Sequence, residues 1–383
     1  MIAIVLLLQI GIVFDIIVLA SGECRMYLAP SKIPKAGRGI IAGSNFLDMQ
    51  VIEEGPTLPI KSQIVHSSQL YHYVYATGND GYDMVIVGPS SLYNHHSNRT
   101  VHYYWSDEPV SDPTINILPY ANLTGSTFAT LTNITVGEEM LNYYGDDWFN
   151  RFHSSPSDDN NTLLMNQHPD KINITDLNTY GHCLSDVKIK ESSLKGAGKG
   201  LFAERNFTIG EIVTISPVLS IPRHVAELSA NDSIFMNYLI ESTTSDMLLF
   251  PINYGALINH NSVPNVRISW YDWGPAEAAF TYTNSTTNAT NNNTNDNPIL
   301  NTTNPIKTFA LKDKLSMTIT ELSEAHFAQL DISYIATTTI TQGEEIFLDY
   351  GVLWEYAWEI YTEKMKLWVE TETNEQNDWS NIP

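Results

Sequence analysis

Cysteine and basic residues are scarce in this chain of 383 residues. Only two cysteines occur, Cys24 and Cys183. A structural zinc site takes about four ligands rich in cysteine, so a zinc site built on thiolates is excluded. Lys and Arg number 20 against 43 Asp and Glu, which gives a formal net charge of -23. Binding to nucleic acid relies on clustered Lys and Arg, so this balance argues against direct binding of nucleic acid.

The remaining composition is that of a globular protein. Hydrophobic residues make up 43% of the chain and aromatic residues 11%, which is sufficient for the cores of two or three domains. The acidic excess suits a solvated surface that keeps the protein soluble, or a surface that meets cationic peptides.

The first twenty residues are apolar apart from Gln9 and Asp15, and small residues follow at Ala20-Ser21-Gly22. This pattern predicts a cleaved signal peptide over residues 1–22. A retained membrane anchor is the alternative, but Asp15 near its middle would cost roughly 2.5–3.5 kcal/mol on insertion scales. We therefore expect a secretory protein, luminal or secreted, with no stable membrane span after cleavage, and organelle targeting as a further possibility.

Acceptor sequences for N-glycosylation also favour the secretory pathway. The pattern Asn-x-Ser/Thr occurs eleven times among 33 Asn residues, and an Asn/Thr-rich composition could itself raise that number. The acceptor residues are Asn98, Asn122, Asn133, Asn160, Asn173, Asn206, Asn231, Asn284, Asn288, Asn292 and Asn301.

Three sequence blocks occur twice in the same order, which indicates an internal duplication. In each copy a glycine block is followed by β-rich sequence, and no long helix comes directly after the glycines, as a nucleotide-binding unit would require. The paired blocks are Ala36–Ala42 with Ala197–Ala203, Leu92–Ser97 with Leu257–Ser262, and Ile134–Gly145 with Ile340–Gly351.

These blocks define the expected domains. After the signal peptide, residues 23–153 form a first, degenerate repeat, and the polar residues 154–179 form a linker. Residues 180–383 form the second repeat. It carries an Asn/Thr-rich insert at 281–305, which is too poor in apolar side chains to fold, and a C-terminal amphipathic helix.

The second repeat resembles a SET domain, the fold of the SET-type lysine methyltransferases. The blocks that carry the resemblance are Gly198–Ala203, Leu257–Asn265 and Gly343–Gly351. The resemblance implies a mainly β fold with minor α, β-clip-like and here in two tandem repeats. It also implies S-adenosylmethionine as cofactor and the lysine side chain of a protein or peptide as substrate, bound on opposite faces and joined by a narrow channel.

The resemblance assigns roles to particular residues. Tyr350 matches the catalytic tyrosine of the family, and Glu344 and Glu345 are expected to support the turn before it. Phe347 and Trp354 are candidate walls of the substrate channel. The expected cofactor-binding residues are Gly198, Lys199, Gly200, Asn259 and His260.

Some family features are missing. Asn261 stands where serine usually follows the Asn-His pair, and residues 212–217 lack the tyrosine that many members have there. S-adenosylmethionine is a cytosolic and nuclear metabolite, so a luminal enzyme could lack its cofactor. The alternative is a catalytically inactive luminal or secreted glycoprotein that uses the duplicated fold to bind proteins.

The two cysteines occupy similar positions ahead of the two glycine blocks, thirteen residues before Gly37 and fifteen before Gly198. In an oxidising compartment they could form a disulfide that joins the repeats. Two unpaired residues in the core are the other possibility.

The secretory assignment predicts N-linked glycans. Protein made in a eukaryotic host should lose mass on treatment with a peptide N-glycosidase, because eleven acceptor sequences are present. The same protein made in bacteria is the control. A band that does not shift on gel electrophoresis would count against secretion.

Overall fold

A computed structural model describes residues 23–33, 36–66, 69–76, 82–105, 125–145, 168–195, 197–227, 235, 238–241, 247–274, 311–318, 321, 330–352, 354–356 and 358–359. The predicted signal peptide, the Asn/Thr-rich insert and most of the predicted C-terminal helix lie outside these residues.

The first repeat is built from short strands with a few helical turns. Its strands are β1 (Met26–Pro30), β2 (Arg38–Ala42), β3 (Val51–Lys61), β4 (Val74–Ala76), β5 (Tyr82–Ile86), β6 (Asn94–His95), β7 (Val101–Trp105), β8 (Gly125–Thr130) and β9 (Leu141–Asn142). Helix α1 (Ser62–His66) and 3-10 turns at Gln69–His72 and Pro89–Leu92 connect them.

The described part of the second repeat follows the same series of strands and has two further helices and one further strand. After helix α2 (Ile174–Tyr180) come β10 (His182–Cys183), β11 (Val187–Glu191), β12 (Lys199–Ala203), β13 (Ile212–Pro222), helix α3 (Arg223–Glu227), β14 (Ile240–Glu241), β15 (Met247–Pro251), a 3-10 turn at Asn253–Leu257, β16 (Asn259–His260), β17 (Val266–Tyr271), helix α4 (Leu311–Lys314), β18 (Leu330–Ala336) and β19 (Phe347–Leu348).

The five-stranded sheets and the short parallel pairs have the same topology in the two repeats. The first has a five-stranded sheet in the order β4-β5-β3-β8-β7, and the second has β14-β15-β13-β18-β17. Strands β6 and β9 form a short parallel pair, as do β16 and β19. The long central strand β13 is buried along nearly its whole length, as expected for an apolar run that is covered on both faces. The structure confirms the predicted fold class, a mainly β, SET-like fold with minor α in two tandem repeats.

The two repeats share strand pairing and a continuous core. Strand β10, from the start of the second half, pairs antiparallel with β1, and Cys183 lies opposite Tyr27. Cys24 and Cys183 form a disulfide with their Cα atoms 5.7 Å apart. Buried apolar residues of both repeats belong to one cluster. The repeats are therefore joined by a disulfide, by strand pairing and by a shared core.

A buried ion pair also joins the repeats. The Arg38 guanidinium, from the first glycine block, lies 2.8 Å from the carboxylate of Asp331 on β18, and the two side chains are only 4% and 1% exposed. The guanidinium carbon also lies 5.0 Å from the centre of the Trp273 ring, a contact that stabilises a desolvated cation. Arg38 thus crosses from one repeat to the other.

None of the helices in the described part of the chain is both long and apolar enough to cross a membrane.

Removing one partner of this ion pair should be strongly destabilising. Asp331→Ala leaves a buried guanidinium without its carboxylate, and we expect the free energy of unfolding to fall by about 3–5 kcal/mol. The double variant Arg38→Met with Asp331→Leu should lose much less, because no charge stays buried. Urea denaturation measures both. Equal losses in the two variants would contradict this account of the interface.

Candidate functional site

The parallel pair of β16 and β19 brings the second and third sequence blocks together. Asn259 lies opposite Phe347 in this pair, and Tyr350 follows β19 by two residues. The Asn265 side chain binds the backbone at the start of β19. Its Nδ2 donates to the carbonyl of Glu345 at 2.8 Å, and its Oδ1 accepts from the Phe347 N–H at 2.7 Å. The Pro-Asn turn thereby fixes β19 against β16.

A buried carboxylate lies beneath the glycine block. Nδ2 of Asn259 is 3.0 Å from Glu345 Oε1, 3.1 Å from Ser192 Oγ and 3.0 Å from the carbonyl of Lys199. A Cβ atom on Gly200 would lie 2.2 Å from Glu345 Oε1 and 3.0 Å from Asn259 Nδ2. The second glycine of the block therefore leaves room for the chain's own carboxylate.

Glu345 is ionised in this setting although it is buried. Burial raises the pKa of its carboxyl, but hydrogen bonds from Ser193, Asn259 and Ser192 together outweigh burial and hold the pKa below its usual value. The Ser193 N–H donates at 2.7 Å and the Ser192 hydroxyl at 2.7 Å. The sequence-based expectation that Glu345 supports the turn thus corresponds to a specific network.

The imidazole of His260 is bonded on both nitrogens. Nδ1 accepts the Tyr350 N–H at 3.0 Å, so the ring proton is on Nε2, which lies 3.1 Å from Glu355 Oε1. The ring centres of Tyr350 and Trp354 are 5.3 Å and 4.8 Å from the His260 ring. Trp354 in turn stacks on Trp358. These rings form an aromatic cluster beside the Tyr350 hydroxyl.

The Tyr350 hydroxyl donates to the carbonyl oxygen of Ile258 at 2.5 Å. Burial, with a smaller contribution from Tyr238, raises the pKa of the phenol. The group is therefore a neutral hydroxyl at physiological pH and not a base. Two oxygen atoms, one phenolic and one carbonyl, converge at this point.

The first repeat keeps the same contacts. Tyr144 N–H donates to His95 Nδ1 at 2.9 Å, and the Tyr144 hydroxyl donates to the carbonyl of Tyr93 at 2.6 Å. Nδ2 of Asn94 lies 2.7 Å from Glu139 Oε1. The histidine, tyrosine and asparagine are thus arranged alike in the repeat that the sequence classes as degenerate.

Sequence reasoning missed the serine of the carboxylate network. Ser31 Oγ donates to Glu139 at 2.8 Å, as Ser192 does to Glu345. Both serines fall at the same position when the glycine blocks are aligned. The alignment of Ser31 with Ser192 was the sequence signal that could have identified these serines.

The other candidate residues are less closely grouped. Gly198 has φ +68°, and a Cβ atom there would meet nothing within 4 Å. The half-exposed Lys199 ammonium pairs with Glu191. Phe347 lines an open cleft of about 400 Å³ whose lining does not include Tyr350. The structure therefore brings Asn259, His260 and Tyr350 together, while the side chains of Lys199 and Phe347 face elsewhere.

Acceptor asparagines within the described residues lie at the surface. They are Asn98, Asn133, Asn173 and Asn206, and all are exposed. The Oδ1 atoms of Asn133 and Asn206 accept backbone N–H groups of Asp48 and Gln342, which leaves the Nδ2 side of each amide for other contacts. The remaining seven acceptors lie outside the described residues.

The fit of S-adenosylmethionine can be judged from the bonds of these side chains. Nδ2 of Asn259, both ring nitrogens of His260 and the hydroxyl proton of Tyr350 are bonded within the chain. The oxygens of Tyr350 and Ile258 do suit a methyl group on a positive sulfur, whose C–H bonds make weak contacts with oxygen. The fit of S-adenosylmethionine therefore depends on the Tyr350 and Ile258 oxygen atoms and on the faces of the aromatic rings. Among the described residues, no three His, Cys, Asp or Glu side chains are grouped to hold a metal ion.

Comparison with known proteins finds similar folds only. No family model matches the chain, and no curated protein matches it. A Plasmodium falciparum protein named as a histone methyltransferase is 19% identical over 44% of this chain and 94% of its own, with a TM-score of 0.24. Polycomb Repressive Complex 2 of Chaetomium thermophilum, bound to S-adenosylmethionine, is 15% identical over 53% of this chain and 19% of its own, with a TM-score of 0.26. Similarity at these sequence identities and TM-scores does not identify an activity.

Glu139 differs from its counterpart Glu345 in its titration. Burial raises the pKa of Glu139 to about 7, and bonds from Asn94 and Ser31 only partly offset this. Glu53, buried beside the Ser90 and Tyr93 hydroxyls, also has its pKa raised by burial to about 7. Both carboxyls hold a proton in the folded state at a pH where the unfolded chain has lost it.

Glu139 and Glu53 should each lower the stability as pH rises. Between about pH 4.5 and about pH 7 each buried carboxyl holds a proton that the unfolded state has lost, so each contributes a fall in the free energy of unfolding on the order of 3 kcal/mol. His182 acts in the opposite direction, because burial lowers the pKa of its imidazole to about 4 and the unfolded state binds the extra proton below about pH 6.5. Relative to the wild-type protein, Glu139→Gln should remove one carboxyl contribution, and the double variant with Glu53→Gln should become more stable as pH rises from about 4.5 to about 6.5. Urea denaturation at a series of pH values measures the effect. A double variant with the same pH dependence as the wild-type protein would refute this account.

Proposed function

We propose that residues 180–383 form a SET-type, S-adenosylmethionine-dependent protein-lysine N-methyltransferase, and that the first repeat is degenerate. The observation that carries the proposal is the contact of the Tyr350 hydroxyl with the Ile258 carbonyl beside the His260 ring. This contact places two oxygen atoms next to the Asn259-His260 pair. The likeness of the second repeat's sequence blocks to the family supports it.

The chain's own residues would act mainly by position. A lysine ammonium, with a pKa of about 10.4, must lose a proton, and its lone pair must lie in line with the bond that breaks. S-adenosylmethionine would supply an electrophilic methyl group on a sulfonium. Tyr350, being neutral, would orient that methyl group by weak contacts with its oxygen rather than remove the proton. The rings of His260 and Trp354 would wall the site, while Gly198 and Gly200 keep the neighbouring backbone free of side chains.

We also propose that the protein enters the secretory pathway after cleavage of residues 1–22. The disulfide between Cys24 and Cys183 supports this, because disulfides persist in oxidising compartments. The exposure of the four described acceptor asparagines is compatible with glycans at these positions.

A catalytically inactive protein that binds other proteins is the second candidate. One observation favours it. The side chains of Asn259, His260 and Tyr350 are bonded within the chain, and the same bonds occur around Asn94 and Tyr144 in the first repeat. These contacts therefore serve the fold whether or not a cofactor binds.

Calorimetry with S-adenosylmethionine separates the two candidates. The enzyme should bind one cofactor per chain, and methyl transfer to lysine-containing peptides should be measurable with a labelled methyl group. Tyr350→Phe should keep cofactor binding and lose roughly a hundredfold in rate, as expected when one stabilising hydroxyl is removed from the site of reaction.

Tyr144→Phe is the matched control, because it removes the equivalent hydroxyl from the first repeat. It should leave the rate unchanged. Absence of binding heat at high cofactor concentration would remove the enzyme proposal and favour the inactive protein.

A further inference from the structure

The segment that follows the first repeat lies on the surface of that repeat. The Ile172 N–H donates to the carbonyl of Gly137 at 2.8 Å, and the Ile172 side chain is 4% exposed. The Lys171 ammonium donates to Thr135 Oγ1 at 2.6 Å and lies 3.1 Å from Glu138 Oε1. A lysine followed by an isoleucine thus binds to the turn at residues 135–138.

The contact between segment and turn is close. A Cβ atom on Gly137 would lie 2.1 Å from the carbonyl oxygen of Ile172. Lys32 Nζ donates to the carbonyl of Lys171 at 3.1 Å on the other side. The Ile41 and Leu141 side chains of the same repeat are fully buried. No apolar side chain at these positions is left to solvent.

Among the described residues, none covers the corresponding surface of the second repeat. Its turn has identical residues at the three contact positions, Thr341, Gly343 and Glu344. A Cβ atom on Gly343 would meet nothing within 4 Å. Phe202 and Phe347, the counterparts of Ile41 and Leu141, are only partly buried and line the cleft of about 400 Å³, together with Gly343 and Glu344.

The turn itself explains part of this identity. Gly137 and Gly343 have φ of +86° and +91°, a conformation that favours glycine. Glu138 and Glu344 each accept the backbone N–H of the threonine three residues earlier at 2.7 Å. The turn does not explain why Phe202 and Phe347 are only partly buried beside a glycine that no described residue covers. They correspond to the positions that are sealed in the first repeat.

We propose that this cleft binds a partner protein through a peptide segment in which a lysine is followed directly by a branched apolar residue. The apolar residue would lie against Phe202 and Phe347, its N–H would reach the Gly343 carbonyl, and the lysine would meet Thr341 and Glu344. The net charge of -23 favours a cationic partner. The site is separate from Tyr350, so the proposal does not depend on methyl transfer.

The second repeat lacks one contact of the first. Ser193 stands where Lys32 binds the carbonyl of the segment, and the Ser193 hydroxyl and N–H are both bonded to Glu345. Binding in the cleft should therefore be weaker and reversible, in contrast to the linked segment in the first repeat, which is held at high effective concentration.

The chain's own linker provides the probe. A labelled synthetic peptide with the sequence of residues 168–175 should bind the full-length protein with one site per chain, measured by fluorescence anisotropy without cofactor. Peptides in which the lysine is replaced by glutamate, or the first isoleucine by aspartate, should not bind.

Exposed threonines supply a matched pair of variants. Thr338 lines the cleft, and its counterpart Thr132 is exposed at the equivalent place in the first repeat. Thr338→Trp should fill the cleft and abolish binding, whereas Thr132→Trp should leave it unchanged. Glu344→Gln keeps the hydrogen-bond acceptor of the turn and should weaken binding about two- to fivefold. Glu138→Gln should not change it.

Several outcomes would overturn the proposal. The wild-type protein could fail to bind the peptide at millimolar concentration. Thr132→Trp could abolish binding while Thr338→Trp does not, which would show exchange with the linker of the first repeat. Light scattering could show a dimer that Thr338→Trp dissociates, which would assign the cleft to a second copy of the chain.

Discussion

The ionised carboxylate of Glu345 is the constraint on which the second repeat's site depends. It lies under the glycine block and accepts hydrogen bonds from Asn259 and two serines, and its own backbone carbonyl accepts from Asn265. An unpaired carboxylate there would be costly because it is 5% exposed. The network therefore fixes the glycine strand, the Asn-His strand and the strand before Tyr350 relative to one another.

The same network with a different charge occurs in the first repeat. Glu139 accepts from Ser31 and Asn94, but lacks the second serine, because Lys32 stands in place of Ser193. Glu139 is also buried more deeply than Glu345, so burial prevails and raises the pKa of Glu139, whereas the hydrogen bonds prevail and lower the pKa of Glu345. Deeper burial and the loss of one serine thus accompany the change from an ionised to a neutral group at equivalent positions of a duplicated fold.

Much of the fold followed from the sequence because the duplication doubled each signal. Two aligned glycine blocks, each followed by strand sequence, predicted the repeated β topology. The packing roles of individual residues were harder to predict from the sequence. The sequence around Gly200 has the pattern of a ligand-binding turn, yet the atom that Gly200 accommodates is Glu345 Oε1. Asn259, which binds the same carboxylate, lies eighty-six positions before Glu345. Hydrogen bonds between positions this far apart leave no local pattern. The cross-repeat partner of Arg38 was hidden for the same reason, since Asp331 lies 293 positions away.

The pairing of β1 with β10 has a consequence for synthesis. Strand β1 begins at Met26, but its neighbour β10 begins at His182, after the nine described strands of the first repeat. A ribosome adding about 5–20 residues per second would expose β1 with one bare edge for many seconds before β10 emerges. Unpaired edges can join other chains. In a nascent first half this edge of β1 therefore stays unpaired until the second half begins.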